Sequence, residues 1–179
     1  KKWKGSAKTD AVLENLNKCI ASGEKCVFFS QWTSMLDIVE LALQTHGIKY
    51  LRVDGSVPAH KREETFALFK KSQEHSVILL SLKACGIGLN LTVATHVYLL
   101  DPWWNPAVEE QAIERVHRIG QEKTVYVKRF IIKQTVEERI LDLHAKKNNI
   151  IESTLSMSTE EKKTQNVEDL KYIFQKYFQ

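Results

Sequence analysis

Ser76-Val-Ile-Leu-Leu-Ser-Leu82 and His96-Val-Tyr-Leu-Leu100 are continuous apolar runs, separated by a glycine-containing loop from Lys83 to Thr92. A strand that is apolar on both sides must be covered on both sides, which is the pattern of a parallel sheet held between helices. Strand and helix signals alternate outward from this pair. Lys25 to Ser30 reads as a strand, and Trp32 to Thr45 as a helix carrying Met35, Leu36, Val39 and Leu43 with a stop at Gly47. Lys49 to Val53 is a second strand turning at Asp54-Gly55-Ser56, and a helix with Phe66 and Phe69 follows Pro58 as far as Lys71. Upstream, Thr9 is placed to cap a helix to about Ser22, with Gly23 as terminator. Downstream come a helix from about Pro106 to His117, a strand from Thr124 to Ile132, and Thr135-Val-Glu-Glu138 at capping-box spacing. That box opens a long helix carrying Ile140, Leu141, Leu143 and Ile150. Such alternation implies right-handed crossovers and an α/β fold, a mainly parallel sheet with helices on both faces. We assign 1–152 to this lobe, 153–166 to a solvated linker, and 167–179 to a terminal amphipathic helix expected to dock on its own lobe.

The chain has 179 residues, 43% hydrophobic and 27% charged, which excludes a disordered or low-complexity protein and favours one domain with a real core. Three cysteines, Cys19, Cys26 and Cys85, form no CxxC pair and have no histidine at ligand spacing, so neither a disulfide framework nor a metal site is expected. No apolar run reaches the roughly 20 residues that cross a bilayer, and no partner membrane is expected. A net charge of +4 mildly favours a polyanionic partner.

In a parallel sheet ligands gather at the carboxyl ends of the strands. Here those ends are Ser30-Gln31-Trp32, Asp54-Gly55-Ser56, Ser81 to Asn90, and Asp101 to Pro106. Gly86 and Gly88 would let backbone amides approach a phosphate, although the spacing fits neither the dinucleotide fingerprint nor the P-loop, and a plain turn reads equally well. Gln111, Arg115 and Arg118 fall at i, i+4 and i+7 on one helical face. Two guanidiniums one turn apart can grip a triphosphate; the bland reading is a solvated charged face. Trp103 and Trp104 either stack on a sugar or base, or close the sheet edge. His117 reads as a packed or capping histidine, and Cys85 as a small buried residue.

Five motifs in order carry a family resemblance: Val27 to Asp37, Arg52-Val-Asp54-Gly55-Ser56, Ser81 to Leu91, Asp101-Pro-Trp-Trp-Asn-Pro106, and Gln111 to Gln121 ending Arg-Ile-Gly-Gln. Together they resemble the second RecA-like lobe of Swi/Snf-family ATPases, over residues from about 6 to 150, and within it the Rad-type DNA-repair branch. The resemblance implies a nuclear translocase on double-stranded DNA, driven by ATP with magnesium. It implies that Arg115 and Arg118 are arginine fingers and that Gln111, Gly86 and Gly88 lie on the nucleotide side. It implies that Gln31, Trp32, Arg52, Asp54, Gly55, Ser56, Ser81 and Lys83 lie along the DNA, with Trp104 coupling DNA to the ATP site. Its further partners are the N-terminal RecA-like lobe of the same polypeptide and chromatin or repair proteins. Where the family usually has a second glycine this chain has Cys85, whose side chain narrows the loop or strains its backbone.

No Gly-x-x-x-x-Gly-Lys-Ser/Thr and no Asp-Glu metal motif occurs in the 179 residues. The lobe that holds ATP and magnesium is therefore expected elsewhere, and these residues alone are expected to be inactive. The alternatives are a non-catalytic nucleic-acid-binding or interaction module derived from such a lobe, and an RNA-unwinding enzyme of the same superfamily. Asp-Pro-Trp-Trp-Asn-Pro and Arg-Ile-Gly-Gln speak against the RNA enzyme.

Overall fold

Every residue of β1 (Cys26–Ser30) and of β3 (Val77–Ser81) is buried, which places these two strands at the centre of one sheet. They pair in parallel from Cys26 opposite Val77 to Ser30 opposite Ser81. In the computed structural model, which describes residues 4–84, 89–148, 168–169 and 171–173, β2 (Tyr50–Val53), β4 (His96–Leu99) and β5 (Tyr126–Arg129) complete the sheet. The order is β2-β3-β1-β4-β5 and every pairing is parallel. This is the RecA-like α/β architecture the sequence implies.

Alternation along the strands divides the core in two. Cys26, Phe28, Val77, Leu79 and Tyr98 meet the apolar faces of α1 (Ala7–Ala21) and α2 (Thr33–Thr45). Val27, Phe29, Ile78, Leu80, Val97 and Leu99 pack on the other side with Phe69 of α3 (Ala59–Lys71) and Ala112 of α4 (Pro106–Ile113). Phe28 and Tyr98 lie 4.8 Å apart ring to ring on the first side. Complete burial of an aromatic side chain of this size makes truncation to alanine cost roughly 3–5 kcal/mol.

Local chemistry shifts several boundaries. Ser6, not Thr9, is the N-cap of α1: its hydroxyl accepts from the Thr9 amide at 3.3 Å while Thr9 Oγ1 accepts from the Ser6 amide at 2.8 Å. In α5 (Val136–Asn148) Thr135 Oγ1 accepts from the Glu137 amide, but Glu138 reaches back to the amide of Gln134, which sits at φ 59°. The last strand is shorter than the Thr124–Ile132 run and is an edge, with Tyr126 and Val127 both exposed.

The largest correction concerns α4, which ends at Ile113 and not at His117. Beyond it the amides of Arg115 and Val116 bond three residues back, to Ala112 and Ile113, and the Arg115 carbonyl accepts from the Leu91 amide at 2.9 Å. The chain continues past Ile113 as tight turns that bury Val116 and hold the Arg115 carbonyl against the Leu91 amide. Gln111, Arg115 and Arg118 consequently do not share one helical face.

Cys85 to Gly88, Ile150, the 153–166 segment and most of 167–179 lie outside the described residues. Residues 168–169 and 171–173 are helical, Ile173 is buried, and Arg139 of α5 donates to the carbonyls of Tyr172 and Ile173 at 3.4 and 3.3 Å. No helix among the described residues is long and apolar enough to cross a membrane.

Candidate functional site

The registers of β2, β3, β1 and β4 line up four turns at the carboxyl edge, one strand spacing of about 5 Å apart. They carry Asp54, Ser81, Ser30 and Asp101 in that spatial order. Burial at these strand ends leaves polar groups that must be met internally, and each turn is built around such a need.

Asp101 is the hub of the central pair. Its carboxylate accepts from the hydroxyl of Ser30 and from the Gln31 amide at 2.9 Å. Ser30 Oγ in turn accepts from the Trp32 amide at 3.0 Å, which leaves the Trp32 side chain 60% exposed at the edge. Burial pushes Asp101 above the usual carboxylate range, against the opposing pull of the Ser30 and Gln31 bonds and of Lys8. Lys8 Nζ donates to the Leu100 carbonyl at 2.7 Å and to Glu137 Oε1 at 2.6 Å, joining α1, the end of β4 and the start of α5.

The outer turn is similarly braced. Asp54 accepts from the Ser56 hydroxyl and amide, at 2.5 and 2.9 Å, and from Arg52 Nε at 3.0 Å. The Ser56 bonds and Arg52 hold its carboxyl below the ordinary value, against the opposing effect of burial. Arg52 also donates to Asp37 and Glu40, each at 2.6 Å. Burial works to lower its pKa, but bonds to three carboxylates carry it upward. Its guanidinium thus fixes the turn, while Gly55 and Ser56 stand exposed. Ser81 is buried and its hydroxyl accepts from the Ala84 amide at 3.2 Å, closing a single 3-10 turn that leaves Lys83 exposed.

Trp103 and Trp104 are half-buried, their rings 6.0 Å apart. Trp103 packs on the core cluster beneath α3 and α4, so this indole closes the sheet edge. Its carbonyl accepts from His144, and its amide donates to Glu109 Oε1 at 2.8 Å. Glu109 and His144 are site residues that sequence reading missed. Glu109 has the residue type of any solvated helix carboxylate, and nothing in its spacing marks it as buried.

Arg115 and Arg118 are not at the carboxyl edge with these turns. α4 carries the chain away from that edge: Gln121 Nε2 donates to the carbonyls of Thr92 and Ala94, both at 2.9 Å, just before β4 begins. In between, the Arg115–Arg118 segment is tied to the end of the glycine loop by the Leu91–Arg115 bond and by Arg118 Nη1 to the Leu89 carbonyl at 3.4 Å. Arg118 is otherwise exposed, and Arg115 Nε is buried with no hydrogen-bond acceptor among the described residues. Gln111 is exposed on α4, His117 is exposed and not packed, and Ile119 is fully exposed. Gly86 and Gly88 fall outside the described residues. Among the described residues no three His, Cys, Asp or Glu side chains gather as a metal-binding set.

Known proteins with this pattern are consistent in kind. The chain is 48% identical over 176 residues to the DNA repair protein RAD5B of Arabidopsis thaliana, covering 97% of this chain and 14% of that protein. It is 42% identical over 181 residues to the DNA repair protein rad8 of Schizosaccharomyces pombe, covering 97% of this chain and 16% of that one. The chain thus spans about a sixth or less of these relatives. A solved structure, the C-terminal part of the Fun30 ATPase domain, superposes with a TM-score of 0.76 at 37% identity, covering 79% of this chain and 46% of that chain. Residues 7–120 match the helicase conserved C-terminal domain. With that match spanning most of the sheet and its helices, and with these relatives, the chain belongs to the helicase conserved C-terminal domain family, on the Swi/Snf side that includes the Rad5-type DNA repair proteins.

Proposed function

We propose that this chain is the second lobe of an ATP-dependent translocase on double-stranded DNA, a nuclear protein of DNA repair, in which Arg115 and Arg118 are arginine fingers. The observation that carries the reading is the tie between the finger segment and the end of the glycine loop. It sets the Arg118 guanidinium exposed beside Leu89, and Arg115 Nε has no acceptor among the described residues. Donors with spare capacity suit phosphate oxygens, and a guanidinium meets them two at a time.

ATP with magnesium supplies the transferring phosphoryl group and a cation to offset its charge. On this reading Arg115 and Arg118 approach the terminal phosphate from the side opposite the lobe that binds it, and Gln111, Gly86 and Gly88 line the nucleotide side of the cleft. Guanidiniums placed there stabilise developing negative charge by charge-assisted hydrogen bonds, without a proton step. Along the carboxyl edge Gln31, Trp32, Gly55, Ser56, Lys83 and Trp104 contact the DNA. Arg52, Asp54 and Ser81 act one step behind, holding those turns in place. Lobe closure brings the fingers in and reopening advances the duplex, so the N-terminal RecA-like lobe of the same polypeptide is the obligatory partner. These residues alone, without a phosphate-binding loop, do not hydrolyse ATP.

The test is Arg118→Ala in the full-length protein. DNA-stimulated hydrolysis should fall on the order of a thousandfold, as for other arginine fingers, with ATP affinity nearly unchanged. Retained turnover refutes the assignment.

A further inference from the structure

Glu109 is 0% exposed, although it lies in the first turn of α4, where carboxylates are ordinarily solvated, and its neighbour Glu110 is exposed. Its two oxygens are divided between two elements. Oε1 accepts from the Trp103 amide at 2.8 Å, and Oε2 accepts from Arg129 Nε of β5, also at 2.8 Å. A buried carboxylate persists where donors meet its lone pairs and a cation offsets its charge, and this one has both.

We infer that Glu109 is a positioning residue that locks the Asp101–Asn105 turn, and with it Trp104, onto α4, so that the DNA-side turn and the Arg115–Arg118 segment move as one body. The inference rests on the function proposed above. Trp103 is held at both backbone groups, its amide by Glu109 and its carbonyl by His144, while Asn105 Oδ1 caps α4 through the Ala107 amide at 3.2 Å. The finger segment follows directly from the other end of α4, one residue past its C-cap, Glu114. A displacement imposed at Trp104 is therefore carried by a rigid helix; without Glu109 it dissipates in a loosened turn. Arg129 ties the same carboxylate to β5, so the start of α4 is held to the turn and to the sheet together.

ATP hydrolysis by the full-length protein, titrated with duplex DNA, tests this in wild type, Glu109→Gln and Glu109→Ala, with thermal melting alongside. The readout is the ratio of DNA-stimulated to DNA-free rate. It should fall about tenfold or more in Glu109→Ala, the scale on which small misplacements act. Glu109→Gln, which keeps the shape and one acceptor oxygen, should fall less. A role confined to folding lowers the melting temperature and both rates alike and leaves the ratio intact, and that result overturns the inference. Wild-type ratios in both variants overturn it too. Should Glu109→Ala fail to fold, Glu109→Gln decides alone: a lowered ratio supports the lock and an unchanged one refutes it. A wild-type protein indifferent to duplex DNA sinks the underlying reading as well, and the wild-type titration reveals that case separately.

Discussion

Two aspartates at strand ends along the same sheet edge are pushed in opposite directions by what surrounds them. Asp54 is held low, first by the Ser56 hydroxyl and then by the Ser56 amide and Arg52, whereas burial raises Asp101. A carboxyl whose pKa drops on folding contributes stability above its unfolded value and loses that contribution as pH falls through the folded one. A raised carboxyl has the opposite sign: its contribution fades as pH rises past the unfolded value toward the folded one. The Asp54 turn should therefore weaken below a pH of about 4. Thermal melting of the chain across that range should show a shallower acid decline in Asp54→Asn than in wild type, and identical slopes would refute the role given to Asp54.

At the scale of the element, α4 and the turns behind it show how one side chain substitutes for helix geometry. Gln121 Nε2 donates to the carbonyls of Thr92 and Ala94, and its Oε1 accepts from the Lys123 amide at 3.0 Å. That amide group joins the segment after α4 to the segment before β4, so the motif's final glutamine is a staple of the fold. Gln121→Ala should cost about 1–3 kcal/mol in a urea melt, the penalty for leaving buried carbonyls unmet. A change within a few tenths of a kcal/mol, the scale of ordinary surface substitutions, would show that water replaces the staple. The same elements explain a misreading. Gln111, Arg115 and Arg118 carry helical spacing, but α4 stops at Ile113 and the turns beyond it are tied to Leu91 through the Arg115 carbonyl. The i, i+4, i+7 pattern is local, whereas the bond that holds the turns in place comes from a loop about two dozen residues away.

Across the whole molecule, five parallel strands set four turns side by side at one edge, and the Arg115–Arg118 segment follows the far end of α4. On the proposed function, this separation sets a DNA track apart from an ATP-facing flank on one lobe. Binding of duplex DNA by the chain should weaken steeply with salt, with a log–log slope of about one per phosphate neutralised. Duplex RNA should bind less well. Binding without salt dependence, or none at low salt, would withdraw the track and leave only an interaction module.

The alternation of apolar runs and amphipathic stretches was enough by itself to determine a parallel α/β sheet, the helices on its two faces, and the ordered motifs that carry the family. These are properties of periodicity and short-range spacing, which the chain displays without folding. Only the tertiary structure decided that Arg52 is bound by three carboxylates, that α4 stops at Ile113, that β5 is an edge, and that Glu109 is buried between Trp103 and Arg129. Each of those facts depends on groups distant in sequence meeting in a medium where an unmet charge or carbonyl is costly. Residue type and spacing carry no record of such meetings.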